Sequence, residues 1–178
     1  AMLGLLPVAI SLLKPYQKSR ILTFLNPERD PLGAGYQIIQ SKIAIGSGGL
    51  FGKGFLNGSQ SYLDYLPEKH TDFIYTLFSE EFGFFGSFFI LLLYALIVYR
   101  IVRIGSLTRS NFGKLYCYGF ATAFFIYVVV NMMMVLGLLP IVGSPLPIMS
   151  YGGSSMMAIM FGLGIVMSCK IYRDVPVN

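Results

Sequence analysis

Two of the chain's eight acidic residues and its one histidine fall within five consecutive positions, Glu68-Lys69-His70-Thr71-Asp72, in a sequence with only 12% charged residues. A carboxylate placed this way can serve as a general base, because partial desolvation raises its proton affinity while a neighbouring cation lowers it. Asp72 is the candidate base, with Glu68, Lys69 and His70 as candidate substrate-binding neighbours. A lone histidine offers no second imidazole for a metal pair, so no protein metal site is expected. The plain alternative is a solvated helix on which Lys69 and Asp72 pair, an arrangement worth at most about 1 kcal/mol at a surface.

A second candidate lies upstream in IAIGSGGLFGKGFLNGS (43–59), where Lys53 stands among six glycines. The phosphate-loop template fails there: Ser47 occupies the position of its first glycine, and Gly54 follows Lys53 where a hydroxyl is required. Lys53 and the backbone amides of a glycine-rich turn still make a candidate nest for a phosphate group, and a tight turn without ligand fits the same residues. A third candidate is GLLPIVGSPLPIMSYGGSS (137–155), with three prolines and four glycines. Irregular backbone at membrane depth is tolerated where protein buries it or a cavity wets it. Ser150, Tyr151, Gly152, Ser154 and Ser155 are its candidate polar wall. Asn131, inside a neighbouring apolar span, is of a kind that more often joins helices than touches a substrate.

The elements that must position these residues are membrane helices. With 55% apolar residues and a mean hydropathy of +0.68, the composition excludes an ordinary soluble domain. Residues 115–169 contain no Lys, Arg, Asp or Glu, which is more than two crossings need at roughly 20 residues each. The net charge of +5 would suggest nucleic acid in a soluble protein. Here the basic residues flank apolar spans, where they read as topology, so nucleic acid is set aside as a partner. Cys117 and Cys169 have no paired spacing and read as free thiols.

The expected fold class is all-α, a polytopic helical membrane bundle with a large external loop containing an amphipathic helix. Residues 1–13 read as the end of a truncated transmembrane helix and 14–81 as the extracytoplasmic loop. Crossings follow at 82–104, 115–139 and 153–170, joined by a cytoplasmic loop at 105–114 and an external Pro/Gly turn at 140–152, with a cytoplasmic tail at 171–178. Sidedness comes from Arg100, Arg103, Arg109 and Lys114, which crowd one connection while the Pro140–Tyr151 connection has no cation. Within the loop, Pro67, Glu68 and the apolar positions Phe73, Ile74, Leu77, Phe78 and Phe82 predict a helix from Pro67. Its polar stripe would be Lys69, Asp72, Thr76, Ser79 and Glu80.

Three motifs stand in order. The first is Gly35-Tyr36-Gln37 through Ile43-Ala44-Ile45-Gly46-Ser47-Gly48-Gly49 to Gly52-x-Gly54, and the second is Leu66-Pro67-Glu68-x-His70-Thr71-Asp72-Phe73-Ile74. The third is Gly137-Leu138-Leu139-Pro140-x-x-Gly143-x-Pro145-Leu146-Pro147 with Ser150-Tyr151-Gly152-Gly153. Together they closely resemble the SEDS family of bacterial cell-wall proteins (shape, elongation, division, sporulation). The segment from Ile21 to Pro31 looks more like the elongation branch than the division branch. The resemblance runs over nearly the whole chain and departs at Met133 and Ile148, where relatives often carry Gly and Phe.

The resemblance implies a multi-pass glycosyltransferase of the bacterial inner membrane, of which this chain matches roughly the carboxyl-terminal half. It would join lipid II disaccharide units into peptidoglycan strands for elongation and rod shape. An essential acid of the family's outer loop matches Asp72. The implied partners are lipid II, a polyprenyl-linked glycan strand, a class B penicillin-binding transpeptidase and other membrane proteins of the elongation complex. Transfer from a polyprenyl pyrophosphate needs one base and little acid, unlike glycoside hydrolysis with its two carboxylates. The pyrophosphate needs positive charge, for which Lys53, Lys69, Arg29 or a divalent metal, magnesium or manganese, are the candidates; no organic cofactor is expected. The competing readings are a flippase or transporter for the lipid-linked precursor and a non-catalytic membrane scaffold. The chain alone, without its relatives' other helices, is expected to be inactive.

Overall fold

The computed structural model describes residues 15–26, 33–58 and 71–173. Five helices appear in chain order: α1 (Pro15–Leu25), α2 (Ala34–Ser47), α3 (Ile74–Leu107), α4 (Asn111–Val135) and α5 (Gly153–Ile171). The described residues contain no strand. Helices α3, α4 and α5 are each long and apolar enough to cross a membrane. The short 108–110 connection folds α4 back along α3, and α5, reached through the long irregular segment 136–152, leans on both. Many of their phenylalanines point outward, among them Phe84, Phe85, Phe88 and Phe89 of α3. That is a natural surface where the solvent is lipid, which is as apolar as the side chains themselves.

At 34 residues, α3 is longer than a bilayer requires. It spans roughly 50 Å at 1.5 Å per residue, against a hydrocarbon core of about 30 Å. The helix is broken at Gly83, whose φ of 65° and ψ of −161° are non-helical. The glycine-rich turn after α2 wraps this break. Its Lys53 and Gly54 amides donate to the Glu80 and Glu81 carbonyls (both 3.0 Å), and the Phe84 and Phe85 amides donate to the Gly49 and Leu50 carbonyls (2.9 and 3.2 Å). These bonds stand in for helical bonds that the break interrupts. A Cβ at Gly83 or at Gly52 would collide with the facing backbone, which is why both positions are glycine.

Two expectations are corrected here. Thr71, Asp72 and Phe73 form a turn and α3 starts at Ile74, so Asp72 precedes the helix and does not ride on it. The stripe of Thr76, Ser79 and Glu80 is buried, each residue being at most 2% exposed. Each finds a partner inside. Ser41 of α2 donates to the Val135 carbonyl (2.6 Å), which leaves Thr76 to donate to Ser41 (3.0 Å). Ser87 donates to Ser79 (2.8 Å), and Lys53 pairs with Glu80 (2.7 Å). The polar face turns inward because α2 and the glycine turn lie against it.

The interior has two parts. Near Asp72, the aromatic and apolar side chains of Phe73, Tyr75, Tyr94, Phe124, Met134 and Leu146 pack together. Towards the other end, Ile101, Cys117, Ala121 and Val166 form a smaller cluster.

Candidate active site

The Thr71–Asp72 turn is held from two sides. Asn131, buried in α4, donates through Nδ2 to the Asp72 backbone carbonyl (2.9 Å) and to the Ser144 carbonyl (2.7 Å). Both amide hydrogens are thus spent on the backbone, which settles the orientation of the side chain. Ser150 donates to the Thr71 carbonyl (2.6 Å) and accepts from the Leu146 amide (2.7 Å). The irregular segment that supplies Ser150 is itself anchored: Tyr94 of α3 donates to the Pro147 carbonyl (2.5 Å), and Arg20 of α1 donates through Nη1 to the Ile141 carbonyl (2.8 Å). Ile148 in that segment has a φ of 69°. A β-branched residue in the left-handed region costs roughly 1–2 kcal/mol, and the surrounding anchors hold it there.

The half-buried Asp72 carboxylate borders a cavity of about 510 Å³, whose polar lining includes Arg20, Gln37, Tyr151, Ser154 and Ser155. Gly143 closes one side, where a Cβ would lie 3.4 Å from Asp72 Oδ2. A second cavity of about 370 Å³, lined chiefly by Phe120, Phe124, Tyr127 and Ile159, runs between α4 and α5. The two share Pro145 and Ser155, so a polar chamber adjoins an apolar groove.

Of the sequence candidates, Tyr151 (83% exposed) and Gly152 line the cavity beside Asp72. Ser150 is buried and holds the turn from behind. Lys53 is not among the lining residues, and its ammonium sits on the buried Glu80 carboxylate. The amides of Lys53 and Gly54 are taken by the α3 carbonyls, so the glycine turn is a clamp on the helix break and not an anion nest there. Glu68, Lys69, His70 and Arg29 lie outside the described residues. Sequence reasoning missed Arg20 and Gln37, which sit on ordinary-looking helices, and the grip of Asn131 on Asp72. For Asn131 a signal existed, a lone amide in an apolar span.

Among the described residues no three His, Cys, Asp or Glu side chains cluster for a metal. The cavity does offer hard oxygen donors, the Asp72 carboxylate with the Ser154 and Ser155 hydroxyls. That set fits a magnesium or manganese ion held mainly by water and substrate phosphate.

Fold and site together define a multi-pass helical membrane protein with a carboxylate in a polar cavity at one end of its bundle. The chain belongs to the FtsW/RodA/SpoVE family of cell cycle proteins, whose pattern matches residues 1–174. It is 52% identical to peptidoglycan glycosyltransferase MrdB of Escherichia coli (strain K12) over 91% of this chain and 44% of the relative. It is 47% identical to peptidoglycan glycosyltransferase RodA of Treponema pallidum (strain Nichols), over 90% of this chain and 37% of the relative. It superposes with a TM-score of 0.75 and 34% identity on a chain of a peptidoglycan synthase complex described as coordinating polymerization and crosslinking, covering 98% of this chain and 49% of the other. The chain thus spans less than half the length of these relatives.

Proposed function

We propose that the protein to which these helices belong is a peptidoglycan glycosyltransferase of the bacterial inner membrane, polymerising lipid II into glycan strands for elongation and rod shape. The observation that carries this reading is the junction of a polar chamber at Asp72 with an apolar groove between α4 and α5. An amphiphile with a sugar-pyrophosphate head and a polyprenyl tail has that division of chemistry. Asp72 takes the proton from the incoming sugar hydroxyl as its oxygen bonds to the anomeric carbon of the donor. The bond from that carbon to the pyrophosphate breaks, and its electron pair leaves with the already anionic lipid pyrophosphate. Arg20 offers a cation to that group across the cavity. A bound magnesium or manganese ion, held by Asp72 and water, would neutralise further phosphate charge.

Several features support this assignment. Its relatives MrdB and RodA carry the name of the activity, and the fold matches a chain in a complex that couples polymerization to crosslinking. A class B penicillin-binding transpeptidase and other elongation-complex membrane proteins are the partners that such coupling requires. The Asp72 end faces the cell exterior, because the Arg100–Lys114 connection carries the cations of the inner side.

The test is incubation of the purified complete protein with labelled lipid II, comparing wild type with Asp72→Asn. Glycan chains from the first and none from the second are expected. Near-normal chains from a well-folded Asp72→Asn would sink the base assignment, and none from either would favour a flippase or scaffold.

A further inference from the structure

The glycine turn that clamps the α3 break carries four large apolar side chains, Leu50, Phe51, Phe55 and Leu56, all of them exposed, Phe51 by 81% and Phe55 by 70%. They continue a surface of α3. The Phe51 ring lies 5.4 Å from that of Phe85 and the Phe55 ring 6.5 Å from that of Phe82, while Phe84 stacks on Phe88 at 6.3 Å. Lys53 is the one cation in residues 48–58, and its ammonium turns towards α3, onto the buried Glu80 carboxylate.

The depth of this surface follows from α3. The first charge after Glu81 is Arg100. From Gly83 to Arg100 the helix runs roughly 26 Å at 1.5 Å per residue, close to the hydrocarbon thickness of about 30 Å. With Arg100 at one boundary of the hydrocarbon, Gly83 and the turn bonded around it stand at the other, on the Asp72 side. Irregular backbone is tolerated at such a depth when protein satisfies its polar groups. Here the Gly52 and Asn57 amides donate within the turn (2.8 and 3.1 Å), and those of Lys53 and Gly54 donate to α3.

Side-chain size decides what covers the surface. Helices dock on one another in lipid through small residues that let their backbones approach. This face of α3 offers no such approach, because the turn covers Gly83, Phe82 covers Gly86, and what projects is phenylalanine. Acyl chains conform to bulky side chains of this kind, and interfacial segments bury Phe and Leu about 5–10 Å into the boundary between headgroups and acyl chains.

We propose that residues 50–56 form a wedge seated in the lipid leaflet on the Asp72 side, with Leu50, Phe51, Phe55 and Leu56 among the acyl chains, and that this anchor fixes the depth of the α3 break.

The test uses the complete wild-type protein in phosphatidylethanolamine/phosphatidylglycerol vesicles that contain a phospholipid with a diazirine on its acyl chain. After illumination, peptide mass spectrometry should find adducts on 50–56 as well as on 84–92 of α3. In the same vesicles, hydroxyl radicals generated in the water should oxidise Phe51 and Phe55 no faster than Phe88 and Phe89, which share their intrinsic reactivity. Vesicles in which 50–56 takes no adduct overturn the proposal, and adducts on 84–92 alone would show that another protein segment covers the turn. Oxidation of Phe51 and Phe55 several-fold faster than of Phe88 and Phe89 would place the turn in water and overturn it as well.

Discussion

Asn131 Nδ2 donates to the backbone carbonyl of Asp72 at 2.9 Å, across 59 positions of sequence. A residue within a membrane helix therefore sets the height and direction of the candidate base without touching its carboxylate. Asn131→Ala leaves the Asp72 and Ser144 carbonyls without this donor, which costs about 1–3 kcal/mol for each buried group left unpaired. We expect polymerisation by the complete protein to fall at least tenfold, with Asn131→Gln restoring part of it. Measured glycan yield from labelled lipid II, alongside thermal unfolding, checks this; wild-type yield from Asn131→Ala would show that the bond is dispensable.

Gly143 has a φ of 75° and faces Asp72 Oδ2. Gly143→Ala adds about 1–2 kcal/mol of backbone strain and sets a methyl group in contact with the carboxylate, 3.4 Å from Asp72 Oδ2. Turnover should drop several-fold, while the protein still assembles in membranes. Kinetics at saturating lipid substrate separate this from a binding defect, because kcat, not KM, should carry the loss.

The Lys53–Glu80 pair, with Glu80 fully buried, predicts a structural phenotype for a residue that the sequence offered as a phosphate ligand. Removing Lys53 takes the 2.7 Å ion pair from a fully buried carboxylate, and Lys53→Ala should destabilise by about 3–5 kcal/mol; Glu80→Ala should cost less, because the Lys53 ammonium is partly exposed to solvent. The double variant Lys53→Met/Glu80→Gln should recover much of that. Unfolding temperature in detergent is the readout. A Lys53→Ala protein of normal stability but weakened lipid affinity would return Lys53 to the substrate.

Arg20 lines the Asp72 cavity and donates to the Ile141 carbonyl, so it serves both site and scaffold. Arg20→Lys should raise KM for lipid II about tenfold with a smaller change in kcat, since an ammonium keeps the charge but not the planar fork. Concentration series on both proteins decide the point, and an unchanged KM would remove Arg20 from substrate binding.

The sequence by itself determined the class of fold. An uncharged run from 115 to 169, broken once by prolines, leaves helices in a bilayer as the available solution, because backbone groups in lipid must be bonded within their own segment. The sequence also offered Asp72 as the candidate base and Ser150, Tyr151, Gly152, Ser154 and Ser155 as the wall of a polar cavity. Periodicity showed that Thr76, Ser79 and Glu80 share a face, but not which way that face turns. A polar stripe reads as outward until α2 and the glycine turn arrive with Ser41 and Lys53 to satisfy it. Likewise Ser150 and Tyr151 are neighbours in the chain with opposite fates: one is buried on the Thr71 carbonyl, the other open to the cavity. Those assignments belong to the tertiary structure, because a hydrogen bond between residues 71 and 150, or 72 and 131, exists only once separate helices have docked.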